Sequence, residues 1–285
     1  MIPAQNIVAW GTVVPWADPR QVEQDLIISR AIVALFEDPF LRTAVRFRGG
    51  TALNKLHFPT PLRYSEDIDL VRTTAGPIGP VLDALRAALQ PWLGQAQYDP
   101  SIVAPKLRFR VEAEDGSGVP IRLKVETNIS EIEAFDSPLD LPFAVDNPWF
   151  VGHTMVPTFS REEMLATKLR ALLQRDKGRD LYDLAHALQT FDGSTPRKSS
   201  TCLGVMSGCR AMRSRGRSGR SVLAKLARPR FLTDMKPLLP AAQAELISDE
   251  STLLAFRRVF ETFIEQLPGD PWVRADEMKD RFKLL

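Results

Sequence analysis

The chain predicts an α+β fold: a small mixed β-sheet with flanking helices over residues 1–155, followed by a mostly helical C-terminal domain over residues 156–285. Three observations lead there. Short apolar/polar alternations recur before residue 130, helical spacing frames them at Val22–Phe36 and Val81–Leu89, and beyond the proline-punctuated stretch Pro138–Pro157 only helical spacing remains. With 285 residues, 44% apolar and 25% charged, the chain can bury a large core without disulfides or structural metals. No apolar run approaches the ~18 residues of a membrane helix, so no membrane partner is expected. Residues Met1–Asn6 lack the basic flank and apolar stretch of a secretory signal, and a cytoplasmic location is expected.

Asp18 followed by Pro19 suits a helix start, with Asp as N-cap and Pro at the first helical position, and Val22, Leu26, Ser29, Val33 and Phe36 continue it until Pro39. Val45 and Phe47 alternate with Arg46 and Arg48 as in a half-buried strand, which runs into Gly49, Gly50 and Thr51 and then the helix-like Ala52–Leu56. Ile68, Leu70 and Val71 mark a second strand, and Pro77–Leu93 reads as a helix through Val81, Leu82, Leu85, Ala88 and Leu89. Two further strands, Lys106–Glu114 and Val119–Ile129, are split by the turn signal Asp115, Gly116, Ser117, Gly118. Ser160 followed by Glu163 has capping-box spacing and opens a helix over Arg161–Gln174; Leu181, Leu184, Ala185 and Leu188 mark the next. Later helices are expected over Ala241–Ile247, Thr252–Gln266 and Pro271–Phe282.

The formal net charge of +2 conceals an asymmetry. Residues 197–230 hold ten Lys or Arg and no acid, so this stretch is +10 on a body of −8. Within it, residues 195–221 form an atypical basic segment with no sustained period. Both cysteines, Cys202 and Cys209, lie here, and without a nearby His they supply only half a zinc shell. Two readings stay open, a mobile basic loop and the product of a local shift in reading frame.

The chemistry concentrates in two motifs. Asp67 and Asp69, at i and i+2 on a strand, point to one face with Cα atoms roughly 7 Å apart, so their oxygens can converge on one cation. Mg²⁺ takes hard oxygen ligands and draws others from phosphates and water, and it suits such an incomplete site. Gly49 and Gly50, at a strand-to-helix turn, let backbone N–H groups approach a phosphate, with the Thr51 hydroxyl as a further donor. A phosphate cradle beside a divalent metal points to a nucleotide site. On the strand Ile121–Glu126, alternation places Arg122, Lys124 and Glu126 on one face; Glu126 either completes the metal shell or pairs with Lys124 or a cross-strand neighbour. Lys106, Arg108 and Arg110 alternate likewise, as a basic wall or a solvated face.

These motifs, in order with Lys168–Gln174 and with Arg175, Asp176, Lys177, Gly178, Arg179, Asp180, Leu181, Tyr182 and Asp183, resemble the AbiEii/AbiGii toxin family of nucleotidyltransferases over residues ~20–190. The resemblance implies a DNA polymerase β-type nucleotidyltransferase core, with NTP as co-substrate and Mg²⁺, or Mn²⁺, as metal. It implies the toxin half of a toxin–antitoxin pair, with an antitoxin protein as partner. MenT-type relatives add nucleotides to tRNA 3′ ends, so an RNA substrate is implied. By position, Gly49, Gly50 and Thr51 match the motif that holds the triphosphate, with Arg48 just before it. Asp67 and Asp69 match the metal-binding pair, and Ser65 the serine ahead of it, which in some relatives is phosphorylated. Lys168 matches a lysine expected to contact nucleotide phosphates, and either Asp180 or Asp183 matches an essential carboxylate. Other readings stay open: transfer to a protein or small molecule, and a catalytically damaged member with a binding or regulatory role.

Overall fold

The alternating segments pair into one seven-stranded mixed sheet in the order β3-β4-β5-β2-β1-β7-β6. The strands are β1 (Val45–Arg48), β2 (Asp67–Arg72), β3 (Gln97–Asp99), β4 (Lys106–Val111), β5 (Ile121–Asn128), β6 (Leu139–Asn147) and β7 (Phe150–Thr158). β2 runs parallel to β5 and β1 parallel to β7, and the other neighbours are antiparallel. This computed structural model describes residues 2–191, 199, 214–228, 230–231 and 233–284. The chain divides into two units, Met1–Ser160 and Arg161–Leu285.

In the first unit, α1 (Ala4–Trp10), α2 (Pro19–Glu37), α3 (Pro39–Ala44), α4 (Gly49–Ala52) and α5 (Gly79–Leu93) accompany the sheet. Asp18 caps α2 by accepting from the Arg20 N–H at 2.9 Å, and Asp38 caps α3 by accepting from the Leu41 N–H at 2.9 Å. Pro39 therefore ends one helix and starts another, because its fixed φ and missing N–H suit the first turn. One sheet face is the core. Phe47, Ile68, Leu70, Leu107, Phe109, Leu123 and Val125 are buried there, as are Leu26, Ile27, Leu85 and Leu89 on the helices. Each such side chain contributes roughly 1.5–3 kcal/mol on burial.

The proline-punctuated stretch Pro138–Pro157 holds a β-hairpin, β6 against β7 from Leu139↔Thr158 to Asn147↔Phe150. Leu139, Leu141, Phe143 and Val145 do alternate, yet Pro142 and Pro157 obscure the pattern. Proline is tolerated here because β6 is an edge strand and β7 meets β1 only at Phe47↔Thr158, past Pro157.

In the second unit, α6 (Arg161–Gln174) and α7 (Gly178–Thr190) pack together. Most of the basic segment 195–221, including Cys202 and Cys209, lies outside the described residues. Its end is described and is helical: Ser214 caps the helix Arg215–Leu223 by accepting from the Arg217 N–H. Gly216, which read as loop, permits a close approach instead, while Gly219 leaves room for ordinary contact. A Cβ on Gly216 would lie 3.0 Å from the Asp270 carbonyl oxygen, and one on Gly219 would touch the Phe260 ring at 3.5 Å. Part of the basic charge is absorbed locally, since buried Lys225 donates to Asp176 at 2.7 Å and Arg228 also pairs with Asp176. Further helices span Ala241–Leu246, Asp249–Val259 and Ala275–Arg281. Among the described residues, no helix is long and apolar enough to cross a membrane.

Candidate active site

Register explains why the carboxylates of β2 face charge rather than core. With Ile68 and Leu70 turned inward, Asp67 and Asp69 take the opposite face. There Asp69 lies opposite Arg48 on β1 and Glu126 on β5, and Asp67 lies opposite Lys124. The Lys124 ammonium is 3.0 Å from Asp67 Oδ2 and 3.2 Å from Glu126 Oε2, and Lys106 is 3.9 Å from Glu126. Burial raises the Asp69 pKa above its ordinary value, and the like charge of Asp67 adds to this. Burial alone would lower Lys124, but Asp67, Glu126 and Asp69 outweigh it and hold the ammonium above its ordinary value.

The glycine turn is shaped around this carboxylate pair. Gly49 has φ +85°, a left-handed conformation that side chains disfavour, and a Cβ there would fall 2.1 Å from Asp69 Oδ2. Only glycine lets the turn seat the Asp69 carboxylate against the backbone. Thr51 ties the turn to the strand. Its hydroxyl donates to the Asp67 carbonyl and accepts from the Ser65 hydroxyl at 2.8 Å, so it reaches the site through Asp67. Gly50 presents its carbonyl to the Asn54 side chain, which donates at 2.8 Å. Arg48, ahead of the turn, pairs with Glu131 at 2.8 Å.

Sequence reasoning missed the brace beneath the turn. Buried Asp25 on α2 accepts from the Trp10 and Trp16 indoles at 2.9 and 3.2 Å and from Lys55 at 2.9 Å, just beyond α4. No local pattern marks it, because its partners lie 15, 9 and 30 residues away.

Among the described residues, no three His, Cys, Asp or Glu side chains gather as a metal-binding group. Glu126 stands opposite Asp69 on the same face, and the Lys124 ammonium pairs with both Asp67 and Glu126. Asp67 and Asp69 as a pair still fit a hard divalent cation. Both are oxygen donors on one face, and the Lys124 ammonium at 3.0 Å shows that Asp67 attracts positive charge there.

The second unit holds the other motif. Lys168 is buried, 2.7 Å from Asp183 Oδ2 and 3.5 Å from Asp180 Oδ1, and both aspartates are fully buried. Arg175 grips Asp180 with two hydrogen bonds of 2.7 and 2.8 Å. The Lys168 ammonium is thus shared by both aspartates. Gly178 opens α7 with its N–H donated to Asp234 at 2.9 Å, and a Cβ there would strike the Phe231 carbonyl oxygen at 2.1 Å.

The family model described as nucleotidyl transferase AbiEii toxin, type IV TA system, matches residues 30–273. No curated protein matches. Among solved structures, the chain is similar to the MenT4 nucleotidyltransferase toxin of Mycobacterium tuberculosis, with 15% identity, a TM-score of 0.60, and 100% of this chain and 99% of that one covered. It is also similar to JHP933 of Helicobacter pylori, with 16% identity, a TM-score of 0.55, and 93% and 97% covered. At these identities the likeness is one of fold.

Proposed function

The chain belongs to the AbiEii nucleotidyl transferase toxin family, and from that premise we propose that it moves a nucleoside monophosphate from an NTP to RNA, at the tRNA 3′ acceptor end, and so blocks translation. The observation that carries the reading is the Asp67–Asp69 pair seated against the Gly49 turn. In this reading Asp67 and Asp69 hold Mg²⁺, and the backbone at Gly49 and Gly50 faces the triphosphate. Bound there, the metal supplies positive charge to the phosphates and the leaving pyrophosphate. Thr51 and Ser65 position the Asp67 backbone, and Asp25 with Lys55 steadies the helix that follows the turn. Positioning and fixed charge supply most of the rate in such a transfer. Lys168, Asp180 and Asp183 are proposed to hold the helical unit in its active form. A cognate antitoxin completes the proposed pair, and the proposed setting is the cytoplasm.

The test is incubation with each labelled nucleotide, Mg²⁺ or Mn²⁺, and either total RNA or total protein. Label is expected in RNA of tRNA size with the wild type and not with Asp67→Ala or Asp69→Ala. Label appearing only in protein overturns the RNA acceptor, and wild-type incorporation by both variants overturns the site.

A further inference from the structure

The register of β4 and β5 builds three charged rungs on the face that carries the carboxylates. Lys106 stands opposite Glu126, Arg108 opposite Lys124, and Arg110 opposite Arg122. The inner rung balances itself, with Lys106 3.9 Å from Glu126. In the middle rung Lys124 is held by Asp67 at 3.0 Å and Arg108 by Asp99 at 2.8 Å. The outer rung is different. Arg110 and Arg122 face each other, both exposed, and among the described residues neither forms an ion pair. Glu112, next in the alternation, lies past the end of β4 and is not paired with Arg110.

Like charges directly opposite on a ribbon destabilise it by some tenths of a kcal/mol to ~1 kcal/mol. Alternation asks only for polar residues at these positions, and a threonine pair would satisfy it without repulsion. A polyanion laid on the face turns that cost into attraction. The direction of the rungs also matters. β1 with its glycine turn flanks β2 on one side and β5 on the other, and Arg122 is one alternation beyond Lys124, the residue opposite Asp67. Attack in line places acceptor and leaving pyrophosphate on opposite sides of the reacting phosphorus. A triphosphate on the glycine-turn flank therefore leaves the β4–β5 flank to the acceptor.

We propose that the outward face of β4 and β5 is the track along which an RNA backbone reaches Asp67 and Asp69, with Arg110 and Arg122 as its outer phosphate contacts. This rests on the RNA reading above and adds the surface that receives the RNA. The rungs carry no aromatic side chain for base stacking, so recognition here is of phosphates and independent of base sequence.

The experiment is fluorescence anisotropy of a labelled tRNA acceptor-stem RNA with single-stranded 3′ end, titrated with full-length protein at several salt concentrations. The double variant Arg110→Ala with Arg122→Ala is expected to bind roughly 10-fold more weakly, with a log–log salt slope shallower by about 1.5 for the two lost contacts. Arg110→Lys with Arg122→Lys is expected to restore both, since the contact is to charge, and thermal melts are expected to show all variants folded. Wild-type affinity and slope in the alanine variant overturn the track, as does a lysine variant as weak as the alanine one. A wild-type protein that binds no RNA but labels protein overturns the RNA acceptor, and the track falls with it.

Discussion

In the sheet unit Asp67, Asp69 and Glu126 stand on a face where Asp67, Lys124 and Glu126 each keep about a quarter of their side-chain surface in water, whereas in the helical unit Asp180 and Asp183 have none exposed. The sheet cluster has three carboxylates around Lys124, with Lys106 further off, so its charge is available to a ligand. In the helical cluster, two carboxylates are matched by Lys168 and Arg175. The difference is between charge left partly open to water and charge that is buried and matched by its neighbours. A buried pair is destabilising when broken, because the remaining partner is left uncompensated, while a half-exposed pair costs little.

Crossing the two clusters gives the largest expected effects. Asp67→Ala is expected to lower nucleotide incorporation by more than about 1000-fold while costing at most ~1 kcal/mol of stability. Asp183→Ala is expected to cost about 3–5 kcal/mol, because it removes the nearer of the two carboxylates that hold the buried Lys168 ammonium. Urea unfolding beside the labelling assay checks both, and an Asp183→Ala protein as stable as wild type breaks the comparison. Gly49→Ala comes next. The left-handed backbone costs about 1–3 kcal/mol, and the displaced Asp69 carboxylate is expected to lower turnover about 100-fold. An alanine variant with wild-type turnover removes the argument that the turn seats Asp69.

The smallest effect concerns Glu23, buried on α2, whose carboxylate accepts from the Glu114 N–H. Burial raises its pKa above the ordinary 4.5, with the Glu114 N–H opposing and the Glu114 and Asp115 charges assisting. The folded chain therefore keeps this proton to a higher pH than the unfolded chain does. Stability from this group is greatest at low pH and falls as pH rises from 4.5 through the folded value. Glu23→Gln is expected to remove that slope, seen as a smaller fall in melting temperature between acid and neutral pH. An unchanged slope places the pH dependence elsewhere.

The carboxylate pair was legible because alternation is a local rule: if Ile68 and Leu70 are buried, Asp67 and Asp69 share the other face. The helix starts at Asp18–Pro19 and Gly178 were legible for the same reason. The hairpin β6–β7 was not, since its prolines are permitted only by its place at the sheet edge, and the helix Arg215–Leu223 was not, since Gly216 in it makes sense only against the Asp270 carbonyl. Glu126 shows the limit most clearly. Its face was readable from spacing, and Lys124 was among its candidate partners, but that the same ammonium also holds Asp67 was not.

The sequence by itself therefore determined the order of motifs, the family they belong to and the face on which each charged residue stands, because backbone periodicity and glycine's freedom act over a few residues. Only the tertiary structure decided that Lys124 stands between Asp67 and Glu126, that Gly49 seats Asp69, that Arg110 meets Arg122, and that Lys168 is shared by two buried aspartates. These depend on register and packing between segments far apart in the chain, where electrostatic energy changes steeply over a few ångströms.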